Sequence, residues 1–219
     1  MTDGPARAGG ELQDELVAIP PSRSETVYEG RVWNIRRDEV PYDGHTMVRE
    51  YTDHPGAVAI LALDDDDRVL LIKQYRHPVR ARDWEIPAGL LDVTGEDALV
   101  TARRELAEEA DLEAARWDVL AEFYTTPGGS DEAIRIYLAR ELTATPEAFD
   151  RYAEEADIEV RWVPLDELVD AILERRVQNP SLVVGGLAAH AARARDWGTL
   201  APADAPWPRR TPPVGAPRT

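Results

Sequence analysis

Residues 84–112 read WEIPAGLLDVTGEDALVTARRELAEEADL, a stretch in which charged residues recur at close spacings. After Gly95, two acidic residues precede a run rich in Ala, Leu, Arg and Glu, which predicts a helix over residues 96–110. At about 100° per residue, four of its apolar residues share one face: Leu99, Ala102, Leu106 and Ala110. We expect this face to be buried.

Three carboxylates, Glu105, Glu108 and Glu109, lie on the flank of that face. Like charges three or four residues apart each destabilise a helix by about 0.2–0.5 kcal/mol, so this cluster needs open water or cations. Carboxylate oxygens are ligands that suit Mg²⁺ or Mn²⁺. A solvated glutamate-rich surface is the alternative, and the helix alone leaves both interpretations open.

The spacing of the neighbouring residues resembles the Nudix box, G-x5-E-x7-R-E-U-x-E-E-x-G-U, in which U is a bulky aliphatic residue. The residues that match are Gly89, Glu96, Arg104, Glu105, Leu106, Glu108, Glu109 and Leu112. The chain departs from the pattern at two places. Six residues instead of five separate Gly89 from Glu96, and Asp111 replaces the final Gly. Asp can adopt the left-handed conformation that Gly favours there, at some cost.

The resemblance to Nudix hydrolases implies an α+β fold, a Nudix-type α/β/α sandwich with a mixed sheet over residues 55–198. Residues 23–54 alternate in polarity and contain an Asp-Gly turn, which predicts a small antiparallel β subdomain. Residues 1–22 are polar and aperiodic, and residues 199–219 are rich in proline. We expect both ends, the arm and the tail, to be disordered.

Within the predicted domain, the apolar run at 57–63 is typical of a strand buried on both faces, with residues 68–75 returning as its partner. Residues 117–126, 132–140 and 158–164 follow as further strands. Helices are expected at 165–176 and 182–197, separated by a break at Asn179-Pro180-Ser181.

Three features resemble the ADP-ribose pyrophosphatases within the Nudix family. Pro127 lies 16 residues beyond Asp111, WEIPAGLLD leads into the box, and a β unit precedes the domain. The resemblance implies Mg²⁺-dependent hydrolysis of ADP-ribose to AMP and ribose 5-phosphate, with Mn²⁺ as a possible substitute. The alternatives are hydrolysis of another nucleoside diphosphate sugar or dinucleotide, and a catalytically silent sensor of ADP-ribose or another nucleotide. The intact carboxylate set argues against a sensor.

The same resemblance assigns roles to the residues of the box. Glu105 and Glu109 are expected to be the main metal ligands, Glu108 a further ligand, and Ala88 a ligand through its carbonyl oxygen. We expect three other residues to be structural: Gly89, Glu96 and Arg104. Arg104 is expected to pair with Glu96 or with a glutamate of the box and so to hold the loop.

The resemblance to ADP-ribose pyrophosphatases implies that the general base comes from an acidic loop after the central strands. Glu154 is the first choice and Glu155 the second, against the alternative of a merely solvated run of charge.

Substrate binding is expected to involve arginines. Arg76, at the end of a predicted strand, is a candidate for phosphate binding, and Arg49 for reaching the nucleotide across a dimer. Glu132 is a candidate for contact with the terminal ribose. Trp33 could stack on adenine, although a strand Trp is more often part of a core or interface. The four histidines, including His54, show no ligand spacing and are interpreted as structural or surface residues.

Composition limits the remaining possibilities. The formal net charge of −17 over 219 residues argues against a nucleic-acid partner. The chain has no Cys, which excludes disulfides and thiolate metal sites and fits a reducing cytoplasm. No signal peptide or apolar run of membrane-spanning length is evident, so we expect a soluble cytoplasmic protein without a membrane partner. The resemblance of the N-terminal β unit to the one that carries dimer contacts in ADP-ribose pyrophosphatases implies a homodimer.

Overall fold

The computed structural model describes residues 11–93, 95–146, 149 and 158–210. Within them the strands are β1 (Arg23–Tyr28), β2 (Asn34–Tyr42), β3 (His45–Asp53), β4 (Ala57–Ala62), β5 (Arg68–Arg76), β6 (Ala81–Glu85), β7 (Ala88–Leu90), β8 (Leu112–Tyr124), β9 (Ala133–Ala144), β10 (Glu159–Pro164) and β11 (Ala201–Pro202). The helices are α1 (Ala98–Ala110), α2 (Leu165–Leu173) and α3 (Pro180–Arg193). None of these helices is both long and apolar enough to cross a membrane.

The first three strands form an antiparallel sheet in the order β1-β2-β3. Its hairpin turn is the predicted one: Asp43 and Gly44 have φ of 47° and 77°, and they join the paired residues Tyr42 and His45. Two consecutive positive φ values suit the right-handed twist of the flanking strands, which is why an Asp-Gly pair predicts this turn.

The central sheet is mixed, with the order β11-β8-β9-β4-β7. Strand β4 runs parallel to β9 and antiparallel to β7, and every one of its residues is buried, as predicted for this apolar run. The prediction that residues 68–75 pair with the run at 57–63 is wrong except for one isolated bridge, between Leu63 and Val69. Both edges of β4 are already occupied, so the chain turns at 64–67 and β5 pairs instead with β10 and β6 in a second sheet.

Alternate residues of β4 face two separate cores. Val58 and Ile60 pack in one core with Ala102 and Leu106 of α1, whereas Leu61 packs in the other core with residues of α2 and α3. Strand β5 divides its residues between the same two cores. The helices therefore cover both faces of the strands, and the predicted α/β/α arrangement is confirmed.

The last helix begins where the sequence predicted a break. Asn179 is the N-cap of α3, its side chain accepts a hydrogen bond from the backbone N–H of Leu182 at 3.1 Å, and Pro180 follows as the first helical residue. A capping Asn followed by Pro favours a helix start, because Pro has no N–H that would lack a partner there. The helix ends at Arg193, four residues earlier than predicted.

Residues 199–210, which we call the C-terminal segment, differ from the disordered tail that composition predicted. Ala201 and Pro202 form β11 and pair with β8 at the edge of the central sheet. Further along, the ring of Trp207 lies 4.8 Å from the guanidinium carbon of Arg135. These specific contacts hold the segment in place. They cannot be predicted from its proline content.

Candidate metal and substrate site

Helix α1 is defined at both ends by aspartates. The side chain of Asp97 caps the first turn by accepting a hydrogen bond from Leu99 N–H at 2.8 Å, so the helix begins two residues later than predicted. At the other end, Asp111 has φ 54° and ψ 38°, the left-handed conformation, and its N–H donates to Ala107 O at 3.0 Å. Asp111 therefore ends the helix as the Gly of the box motif would.

The carboxylates of α1 lie against the backbone of β7. Glu109 is 7% exposed, and its Oε2 accepts a hydrogen bond from the backbone N–H of Ala88 at 2.9 Å. At the next residue, a Cβ added to Gly89 would lie 2.2 Å from the carboxyl carbon of Glu105. A side chain at residue 89 would displace the Glu105 carboxylate, so Gly89 allows that carboxylate to lie against the strand backbone.

Arg104 lies among three carboxylates. Its Nη1 is 2.8 Å from Glu105 Oε1 and 3.1 Å from Glu108 Oε2, and its Nη2 is 3.5 Å from Glu96 Oε2. The pKa of the Arg104 guanidinium is raised, because attraction to these carboxylates outweighs burial, which alone would lower it. These contacts are the pairs proposed for Arg104 from the sequence, and they offset the repulsion between the acidic side chains.

The donor set fits a hard divalent cation. Two carboxylates, Glu105 and Glu109, converge on the Ala88–Gly89 backbone, and carboxylate and carbonyl oxygens are the ligands that such a cation prefers. Among the described residues, no three His, Asp or Glu side chains form a ready-made metal-ligand group. In this structure Arg104 and the Ala88 N–H engage oxygens of the box glutamates.

Arg76 lies at the end of β5 and is anchored by a carboxylate that the sequence analysis missed. Its Nε and Nη2 donate to the two oxygens of Glu85 at 2.8 and 2.6 Å. Glu85 is 2% exposed, whereas the Arg76 side chain is 45% exposed. A bidentate pair with one buried partner fixes the arginine while leaving much of it accessible. The only sign of this pair in the sequence was Glu85, a single acidic residue among the apolar residues of WEIP.

Arg49, on β3, lies at a cavity of 380 Å³ between the first sheet and the loop joining β8 to β9. Tyr51, Tyr124, Pro127 and Asp131 also line this cavity. Burial, and then a 3.0 Å hydrogen bond to an aspartate of β2, raise the pKa of Tyr51 to about 12. Tyr51 is therefore a neutral, fixed wall of a cavity that contains both Arg49 and the predicted Pro127 loop.

The other two candidates for substrate contact both lie next to His54. Trp33, just before β2, is 45% exposed and its ring centroid is 5.3 Å from that of His54. Glu132 Oε1 lies 3.4 Å from His54 Nε2, and Glu132 Oε2 accepts a hydrogen bond from Thr125 Oγ1 at 2.6 Å. His54 is 7% exposed, so it lies in the interior and Trp33 at the surface.

Glu154 and Glu155, the predicted bases, lie outside the described residues. Their role remains a prediction.

Comparison with known proteins agrees with this geometry. The model of the NUDIX domain matches residues 53–182. An ADP-ribose pyrophosphatase of Mycobacterium tuberculosis is 45% identical over 171 residues, which cover 77% of this chain and 81% of that protein. A methanol dehydrogenase activator of Bacillus methanolicus is 36% identical over 163 residues, which cover 74% of this chain and 87% of that protein.

A solved structure described as an ADP compounds hydrolase matches the fold with a TM-score of 0.69 at 20% identity, covering 85% of this chain and 99% of that one. The fold, the box and the extent of the sequence match agree, and the resemblance noted from the sequence is confirmed: this chain belongs to the Nudix hydrolase family.

Proposed function

We propose that this protein hydrolyses the pyrophosphate bond of ADP-ribose in a Mg²⁺-dependent reaction, giving AMP and ribose 5-phosphate. The observation that carries the proposal is the convergence of Glu105 and Glu109 on the Ala88–Gly89 backbone. The choice of ADP-ribose is supported by the relative at 45% identity, which is named for that substrate, and by Arg49 and Pro127 at one cavity.

Glu105, Glu109 and the carbonyl oxygen of Ala88 would hold Mg²⁺, with Glu108 as a further ligand and Mn²⁺ as a possible substitute. When bound, the cation neutralises charge on the pyrophosphate oxygens. Arg104 lies beside the same carboxylates and keeps them in place before substrate arrives.

The remaining steps are assigned to side chains of this chain. Arg76, held by the buried Glu85, binds a phosphate group and orients it. Glu154 accepts the proton of the attacking water, with Glu155 as the second choice. A positioned base of this kind contributes roughly 10²- to 10⁴-fold to the rate.

The nucleoside and the terminal ribose are assigned to the region between the first sheet and the Pro127 loop. Arg49 contacts the nucleotide, Trp33 stacks on the adenine and Glu132 binds the ribose. A larger cavity of 550 Å³ lies between the start of α1 and the C-terminal segment. Of the residues predicted for the site, its lining contains Glu96 alone, so we place the substrate elsewhere.

A homodimer is part of the proposal, with residues 23–54 as the dimerisation subdomain and residues 55–198 as the catalytic domain. The first sheet exposes several large apolar side chains whose burial would favour association: Val27 at 40%, Tyr28 at 64%, Tyr42 at 55% and Val48 at 51% exposure. The proposal also includes the cytoplasmic location inferred from the sequence.

The decisive experiment is turnover of ADP-ribose beside ADP-glucose, GDP-mannose and NADH, with and without Mg²⁺ and with products separated by chromatography. We expect ADP-ribose to be converted preferentially, and only with a divalent cation, to AMP and ribose 5-phosphate. Preference for another substrate would retain the phosphate chemistry and contradict the pocket assignment. Tight binding of ADP-ribose without turnover would instead favour a sensor.

A further inference from the structure

One tautomer of His54 satisfies its hydrogen bond to Gly56. Its Nδ1 accepts a hydrogen bond from the backbone N–H of Gly56 at 3.1 Å, so the proton of the neutral ring is on Nε2. The backbone N–H of His54 donates to Asp131 Oδ1 at 2.8 Å. Gly56 has φ of 86°, a conformation that a side chain would strain. The Gly56 N–H therefore orients the ring, and Asp131 holds the backbone that carries it.

The N–H at Nε2 of the neutral ring faces Glu132. Its distance to Glu132 Oε1 is 3.4 Å, while Thr125 Oγ1 holds the other carboxylate oxygen at 2.6 Å. The backbone N–H of Glu132 also donates to Ser130 Oγ at 3.1 Å. The Glu132 carboxylate is thus held between a histidine and a threonine, and its side chain remains 23% exposed.

Trp33 contacts the same imidazole. The two rings are tilted by 34° with their centroids 5.3 Å apart. One buried ring therefore contacts both a carboxylate and an indole that come from distant parts of the chain. The mechanism proposed above uses Glu132 and Trp33 but gives His54 no part.

We propose that His54 is a positioning residue that orients Glu132, and with it Trp33, for binding the ribose and adenine of the substrate. This inference rests on the proposed function of those two residues. His54 touches no reacting atom, so its loss is expected to weaken substrate binding and leave the chemical step nearly unchanged.

Two substitutions separate the contacts of the ring. His54→Asn retains an oxygen that can accept from Gly56 N–H but is too short to reach Glu132. His54→Gln can present an N–H to Glu132. We expect His54→Asn to raise KM for ADP-ribose by about three- to tenfold, because the 3.4 Å contact of Nε2 with the Glu132 carboxylate is lost, with kcat within about twofold. His54→Gln is expected to recover most of the loss.

A double-mutant cycle with Glu132→Gln tests whether His54 acts through that carboxylate. Glu132→Gln alone should raise KM, and adding His54→Asn to it should raise KM little further. His190→Asn, at an exposed position on α3, is the matched control and should leave KM unchanged. Thermal unfolding of each variant checks that all are folded.

Independent, additive effects of the two substitutions would overturn the inference, and so would an unchanged KM in either single variant. Whether ADP-ribose is the substrate is decided first, by turnover of the wild type. If the wild type does not convert ADP-ribose, the cycle is measured with the preferred substrate of the panel, or with the Kd of ADP-ribose if none is converted. The same test of additivity then applies.

Discussion

The box and the C-terminal segment both place backbone polar groups against a buried charge, yet only one of them was visible in the sequence. In the box, the Ala88 N–H donates to the buried Glu109. In the C-terminal segment, the carbonyl oxygens of Ala205 and Pro206 accept from Arg135, which is 3% exposed, at 2.9 and 3.1 Å. The two contacts are chemically alike.

The difference is one of sequence distance and of side-chain involvement. The box is a local pattern in which several charged residues have fixed spacing, and a helix converts that spacing directly into geometry. The contact to Arg135 joins residues 70 positions apart and uses backbone carbonyls, which every residue has. Charge patterns along one element can be predicted, whereas a backbone partner for a distant buried charge cannot.

The largest effect is expected from Glu109→Gln. The amide oxygen of Gln can still accept from Ala88 N–H, so the substitution removes the charge and keeps the contact. If the box acts as a metal site, kcat should fall by at least about 10²-fold, because several kcal/mol of charge stabilisation is lost. Turnover and Mg²⁺ titration measure this effect.

Glu113→Gln, at an exposed position just beyond α1, is the matched control for that substitution and should leave kcat unchanged. Equal turnover in Glu109→Gln and the wild type would show that the carboxylates are only a charged helix flank, which was the alternative left open by the sequence.

A smaller effect, on stability instead of activity, is expected from Trp207→Ala. The substitution removes the ring that lies over Arg135 and the apolar contact of Trp207 with the adjacent core. We expect the free energy of unfolding in urea to fall by about 1–3 kcal/mol, with kcat nearly unchanged. Asp204→Ala, exposed on the same segment, should change stability by less than about 0.5 kcal/mol.

If Trp207→Ala were as stable as the wild type, the C-terminal segment would not be docked by this residue. The pairing of β11 and the bonds from Arg135 to the carbonyl oxygens of Ala205 and Pro206 would then hold the segment without it.

The fold shows the same division between local and distant information. The Asp43-Gly44 hairpin, the buried strand β4 and helix α1 were predicted because each depends on neighbouring residues. The pairing of β5 was predicted wrongly, because the edges of β4 are occupied by β7 and β9, which come later in the chain.

In the site, the box was predicted residue by residue from its motif. The pair between Arg76 and Glu85, and the contact of His54 with Glu132, join separate elements, and residue type alone gave no spacing to recognise.

The smallest effect is expected at Asp111, where the sequence departs from the box, and it tests whether that departure costs stability. Asp111→Gly should relieve the strain of a left-handed non-glycine residue and remove a negative charge from the negative end of the α1 dipole. It also loses the 2.8 Å hydrogen bond from Phe149 N–H to Asp111 Oδ1, but that bond is exposed to water and contributes less. We therefore expect a gain of about 0.5–1 kcal/mol in urea unfolding.

Asp111→Asn separates the two contributions, because Asn keeps the side-chain oxygen and removes only the charge. It should gain about 0.3 kcal/mol, the lower end of the helix-dipole effect. A loss of stability in Asp111→Gly, with none in Asp111→Asn, would show that the bond to Phe149 outweighs the backbone strain. The aspartate would then be a compensated feature of this box: its side chain would hold a residue 38 positions away, which is the kind of contact that a local motif cannot report.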